Sequence, residues 1–460
     1  MDNEWVAYDG GPVRSWHRSA SHIQVMGGVS IIPEGAFEHC HNLMVVRLSN
    51  VTEVSNRAFN CCQRLVSVIS HASAVKIGNH AFNDCSGLLG IEWSFASTVE
   101  IGEGAFRACS ELEEIDLSKV TKIGAGAFYS CEALYSVRVP SSVTTIEERT
   151  FEECRGLARI HLSKGIQTIK SGAFLNCRAL SYIDIPSSIA DIESRVFWGC
   201  TKLTGVKFHN GLETIGCSVF NDCTLLQTIS LPPSLLLIGP FSFQRCRALQ
   251  EVSVPNSDLH TGLYEIGMYA FSSCSELTRI SIPTSITGIG RRAFKNCHSL
   301  TEVTLHEGVH YIRGEAFDSC HSLTHINIPP VAFVIDFEQS TCQLMESTMP
   351  KHGGKILVVS HWMQYRSQGE MQQIGDKLRE ILARGNNDVS RSIAIREWVF
   401  YLYLRDVATL LELAIWKRGM IGDQPETEPA ERQAIRGQVG NDMSVIIPGV
   451  MEYFGPHQGY

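Results

Sequence analysis

Several features are missing from this 460-residue sequence, and each absence narrows what the chain can be. It has no long hydrophobic run. The most apolar stretch, Ile393–Leu404, is broken by Arg396 and Glu397, leaving only Trp398–Leu404 free of charge. A membrane-spanning helix needs about 20 such residues. Met1–Trp16 lacks a basic segment followed by an apolar one, so no secretory signal is expected there. Neither end carries a lipidation signal. Positive charge is not in excess: 39 Lys and Arg stand against 48 Asp and Glu, a net charge of −9. A general nucleic-acid binder would be basic. Gly-x-Ser-x-Gly, Walker A and His-Glu-x-x-His signatures are all absent. These absences lead to an expectation of a cytoplasmic protein, with the nucleus as an alternative. It should have no membrane span, no nucleic-acid partner, no cofactor and no catalytic role.

What the chain does contain is a repeat, which must be identified before any domain count. Phe37, Phe59, Phe82, Phe106, Phe128, Phe151, Phe174, Phe197, Phe220, Phe243, Phe271, Phe294 and Phe317 follow one another at steps of 22, 23, 24, 22, 23, 23, 23, 23, 23, 28, 23 and 23 residues. Three residues after each phenylalanine is a cysteine, from Cys40 to Cys320. Three further on is a leucine, from Leu43 to Leu323, and three beyond that a valine or isoleucine, from Val46 to Ile326. Five residues before each phenylalanine is another apolar residue, such as Ile32, Ile101, Ile215 or Ile312. Leucine, valine or isoleucine, and the next apolar residue (Leu117, Val139, Ile185, Ile282) make a short strand signature. One such unit cannot bury its own apolar face, but stacked units can, by aligning equivalent residues into ladders. The pattern predicts a repeat solenoid of about thirteen turns of ~23 residues, with a parallel β-sheet and strands ~4.8 Å apart. Prolines after the strand (Pro140, Pro186, Pro232, Pro283) should end it. Glycines after the returning isoleucine (Gly102, Gly124, Gly216, Gly239, Gly290) suggest a turn needing a permissive backbone.

The units resemble the BspA-like class of leucine-rich repeat over about residues 31–330. That resemblance implies the solenoid fold. It also implies a recognition role, since the class includes adhesins and receptors for proteins. Residues 1–30 are read as an N-terminal cap, with His22–Val25 alternating like a strand. The repeat signature stops near Pro329, and 331–354 reads as a connector. Residues 355–460 are expected to form an α-helical C-terminal cap or domain. Ile374, Leu378, Ile381 and Leu382, and later Ile395, Trp398, Val399 and Leu402, fall at helical spacing. The segment Ala408–Lys417 is similar to one that follows such repeats in diatom proteins.

Sixteen cysteines invite a chemical reading. Thirteen hold the repeat position, one per turn, without the close pairing that structural zinc sites use. Parallel side chains in a ladder suit disulfide geometry poorly, and buried free cysteine behaves as a small hydrophobe. His298 and His321 should stack one turn apart, which leaves a thiol or metal sensor as a lesser alternative. Gly102-Glu103-Gly104 and Gly124-Ala125-Gly126 resemble pieces of phosphate loops but belong to the repeat turn.

The informative surface is the set of strand residues that alternate with the buried ones. Glu114, Asp116, Arg138, Arg159, His161, Tyr182, Asp184, Lys207, Glu251 and Arg279 form the candidate binding face. The 28-residue step adds a candidate loop containing Asn256, Asp258 and His260, because insertions in a fixed period bulge outward. The expected function is a non-catalytic scaffold that binds a protein partner through the sheet face. The alternative is a cell-surface adhesin or receptor.

Overall fold

A computed structural model describes residues 5–93, 96–253, 262–305, 309, 311–327, 333–335 and 358–359. The chain divides into two units, Met1–Arg366 and Ser367–Tyr460, and the described residues all lie in the first.

Each turn has a front strand, a return segment and a corner. Front strands follow the period-2 rule: Ser136–Val139 exposes Ser136 and Arg138 while burying Val137 and Val139. Within each group of front strands, neighbours pair parallel and in register, as Ser136 with Arg159 and Val137 with Ile160. Parallel pairing needs a long crossover, which the rest of each turn supplies. The prolines act as expected. Val143 N–H donates to the Pro140 carbonyl at 3.2 Å, and Ile189 to Pro186 at 3.1 Å, closing a tight turn after the strand.

The returning isoleucines form a second parallel sheet that the spacing alone does not reveal. Its strands are often only two residues long, such as Thr168–Ile169, and pair isoleucine to isoleucine down the chain. From Thr145–Ile146 onward it runs through ten strands. The last two, Phe333–Ile335 and Val358–Val359, fall within the stretches read from sequence as connector and helical unit. The rest of both stretches, including the expected helices, lies outside the described residues.

At the corner, the phenylalanine rings from Phe37 to Phe317 stack at 5.1–5.5 Å with nearly parallel planes. Tyr8, from the first front strand Trp5–Tyr8, meets Phe37 edge-on at 5.0 Å and ends the ladder. Helix Ser15–Ser19 then leads into the second front strand, His22–Val25. His17 Nδ1 accepts the Arg14 N–H at 3.0 Å, which leaves its proton on Nε2, facing the Ala7 carbonyl at 3.2 Å.

The corner backbone carries a hydrogen-bond ladder of its own. Phe151 N–H donates to Ala173 O and Glu153 N–H to Leu175 O, both at 2.8 Å. The buried alanine therefore lets the turns approach this closely. Residues two before and two after each phenylalanine lie in the left-handed region, as Arg149 (φ 54°) and Glu153 (φ 61°). Each such non-glycine residue costs roughly 1–2 kcal/mol, which the ladder offsets.

The glycines after the returning isoleucine have a different cause from the one the sequence suggests. None of Gly102, Gly124, Gly216, Gly239 and Gly290 has a positive φ. The constraint is close approach: a Cβ on Gly124 would lie 2.4 Å from the Glu103 nitrogen of the preceding turn.

Candidate protein-binding face

The front sheet presents two rows of outward side chains. One contains Glu114, Arg159, Tyr182, Glu251 and Arg279. The other contains Asp116, Arg138, His161, Asp184 and Lys207. All ten are exposed. The candidate loop residues Asn256, Asp258 and His260 lie outside the described residues.

Register decides which of the ten meet. Arg138 pairs with His161, and Glu251 with Arg279. Asp184 sits beside Lys207, 3.4 Å away, and also accepts from His209 Nε2 at 2.7 Å. These groups are half-exposed, and such pairs contribute only about 0.2–1 kcal/mol. They define a charged spot more than they stabilise the fold. His209 lies beyond the strand, so alternation does not find it. Tyr135 was also missed. It is 53 % exposed, with the Arg159 guanidinium 5.8 Å from its ring centre.

Among the described residues the front strands pair in four separate groups, spanning Trp5–Glu92, Ser136–Leu162, Tyr182–Lys207 and Thr228–Asn327, and only between the first two does a turn lack a front strand altogether. Strands Gly90–Glu92 and Ser136–Val139 are regular, but residues 113–117 between them are not strand. Trp93 takes the apolar position that follows the third repeat strand, and its Nε1–H donates to the Asp116 carbonyl at 2.8 Å. A groove of about 910 Å³ opens there. It is lined along three rows of equivalent positions: Leu89, Glu113 and Tyr135; Gly90, Glu114 and Ser136; and Glu92, Asp116 and Arg138.

The other side-chain clusters are structural. Twelve repeat thiols, from Cys62 to Cys320, donate to the phenylalanine carbonyl of the preceding turn at 3.0–3.3 Å. Burial pushes thiols such as Cys154 and Cys200 well above the ordinary cysteine range, away from the reactive thiolate. His298 and His321 stack at 5.4 Å, and the His298 Nδ1–H donates to the Ser319 carbonyl at 3.0 Å. Among the described residues, no three His, Cys, Asp or Glu side chains converge as metal ligands. No described helix is long and apolar enough to cross a membrane. On the corner wall, Glu315 accepts from Arg292 Nε at 2.6 Å and Arg291 Nη2 at 3.2 Å. These guanidinium bonds hold its carboxyl down to about 2.

Comparison with known proteins agrees with this geometry. The profile of the BspA type leucine rich repeat region matches residues 16–135, 91–204, 121–250 and 238–356. A leucine-rich repeat protein from Bacteroides ovatus is 27 % identical over 72 % of this chain and 88 % of its own, with a TM-score of 0.59. A leucine rich cell surface protein from Faecalibacterium prausnitzii is 24 % identical over 70 % of this chain and 87 % of its own, with a TM-score of 0.40. No curated protein matches the sequence.

Proposed function

This chain belongs to the BspA-type leucine-rich repeat family, and from that membership we propose that it is a non-catalytic scaffold that binds a protein partner through its front sheet face. The observation that carries the reading is the contrast between walls. The return sheet and corner use their repeat-position residues to pack turn against turn, whereas the front face carries two rows of outward side chains that include exposed groups of both signs. Such a mixed face suits a protein surface better than a phosphate backbone, which calls for a row of Lys and Arg.

The test is capture of partners from the protein's own cells by the tagged full chain. It is run beside a variant with Arg138, Arg159, Asp184 and Lys207 changed to alanine. A partner retained by the native chain and lost by the variant supports the reading. An identical partner set for both would overturn it.

A cell-surface recognition protein is the second reading. It is favoured by Asn50, which is exposed and begins an Asn-Val-Thr acceptor sequence. Its side chain donates to the Gly27 carbonyl at 3.1 Å. A glycan at Asn50 on protein from the native source would establish passage through a secretory route. Uniform lack of modification there would favour the intracellular scaffold, which also suits the unbridged thiols.

A further inference from the structure

We propose that the groove at the strandless turn of the front face, residues 113–117, binds an extended peptide segment of the partner in which an arginine or lysine neighbours a large apolar side chain. The inference rests on the front-face reading above and names the partner chemistry for one part of that face.

Charge is the first argument. Glu92, Glu113, Glu114 and Asp116 are exposed on two successive turns, and Arg138, on the next turn, is the one cation among the described residues lining the same groove. Several carboxylates elsewhere are neutralised by neighbours, as Glu147 by Lys170 at 2.7 Å and Asp222 by Arg245 at 3.3 Å. Among the described residues no ion pair reaches these four. The Asp116 carboxylate accepts from the Ser118 N–H and hydroxyl, at 2.8 and 3.1 Å. The carboxylates are spread along the groove and do not converge as a metal cage would, so a row of separated cations matches them.

Apolar surface is the second. Leu89 is 45 % exposed and Tyr135 is 53 % exposed on the same edge. They stand two turns apart, with Glu113 at the equivalent place between them. Shape is the third. Gly90 leaves the strand without a side chain where Ser67 precedes it, and a Cβ there would meet only the Glu114 carbonyl, at 3.8 Å. The groove's volume of about 910 Å³ would admit an extended chain lying across the strands. Its apolar side chain would pack on Leu89 or Tyr135, and its cation would face Glu113 between them or Glu92 and Asp116 along the other edge.

The probe is a fluorescein-labelled hexapeptide of alternating Arg and Leu, titrated into the full chain. An Arg and Ser peptide and a Glu and Leu peptide serve as controls. The Arg–Leu peptide should bind about tenfold more tightly than either control. Glu92→Gln with Glu114→Gln should weaken it about tenfold and flatten its salt dependence. Gly90→Ala, whose Cβ would meet only the Glu114 carbonyl at 3.8 Å, should weaken it while leaving the circular dichroism spectrum unchanged. Equal affinity for the native chain and both variants would overturn the proposal, as would equal binding of the Arg–Ser and Arg–Leu peptides. Partner loss on changing Arg138, Arg159, Asp184 and Lys207, without any groove-dependent peptide binding, would leave the face standing and remove the groove. Groove-dependent peptide binding with no effect of those four changes on partner capture would do the reverse.

Discussion

The indole of Trp93 donates to the carbonyl of Asp116, one turn further along the front face, at 2.8 Å. The bond lies at the turn that lacks a front strand, so a side chain holds backbone that strand pairing does not. Trp93 is itself buried and packs against Phe106 at 6.4 Å.

Trp93→Phe keeps an aromatic ring in that space and removes the donor. A neutral hydrogen bond contributes about 1 kcal/mol net, and leaving a shielded carbonyl unpaired costs somewhat more. The variant should lose about 1–2 kcal/mol, read from urea denaturation. An unchanged midpoint would mean that water replaces the indole without loss.

The cysteine ladder makes a sharper prediction. Twelve of the fifteen described cysteines are buried, while Cys61, Cys217 and Cys320 are partly exposed. Iodoacetamide on the native protein should modify the partly exposed group first and reach Cys154, Cys177 or Cys200 only after denaturant is added. Rapid native labelling of Cys154, mapped by mass spectrometry, would contradict the packing. Cys154→Ser keeps a donor for the Phe128 carbonyl, which now lies 3.0 Å from Sγ. Cys154→Ala removes that donor.

How much of this was legible in the sequence depends on how each feature is encoded. The Phe, Cys and Leu ladders were readable because a solenoid stacks each residue on its own copy, so one geometry demands one residue type thirteen times. The left-handed corner positions were not, because Arg149, Gly172 and Arg195 all adopt the same conformation there. The return sheet escaped notice because strands such as Thr168–Ile169 are too short to show alternation. The ten face residues followed from alternation along each strand. The groove did not, because it arises from three turns at once: a missing side chain at Gly90, an interrupted strand at 113–117, and Leu89 and Tyr135 just ahead of the alternating pair.

Acid should reveal the corner network around Glu315. Its carboxyl is held at about 2 in the folded protein by the Arg292 and Arg291 bonds, against roughly 4.3 in an unfolded chain. Between those values the unfolded state binds a proton that the native state does not. The stabilisation is therefore complete above the unfolded value and is lost as pH falls through the folded one. Glu315→Gln should cost about 2 kcal/mol at pH 7, as expected for hydrogen bonds to a charged group. The gap from the native chain should narrow steadily from pH 4.5 toward pH 2.5 in urea titrations. A gap that stays constant across that range would assign the loss to packing.

Gly124 tests why turns can stack at the spacing they do. A Cβ there would stand 2.4 Å from the Glu103 nitrogen and 2.5 Å from the Gly102 carbonyl carbon, both backbone atoms of the preceding turn. No rotamer change relieves a clash with backbone, so the two turns must separate. Separation would strain the return-sheet contact and the stacking of Phe106 on Phe128, now 5.5 Å apart. Gly124→Ala should therefore cost about 3 kcal/mol, the upper range for overpacking. Gly28→Ala is the matched control: no atom lies within 4 Å of its would-be Cβ, and its φ is not positive. That change should stay within about 0.5 kcal/mol of the native chain or stabilise slightly by restricting the unfolded state. If both variants unfold at the same urea concentration, close approach is not what places glycine after the returning isoleucine.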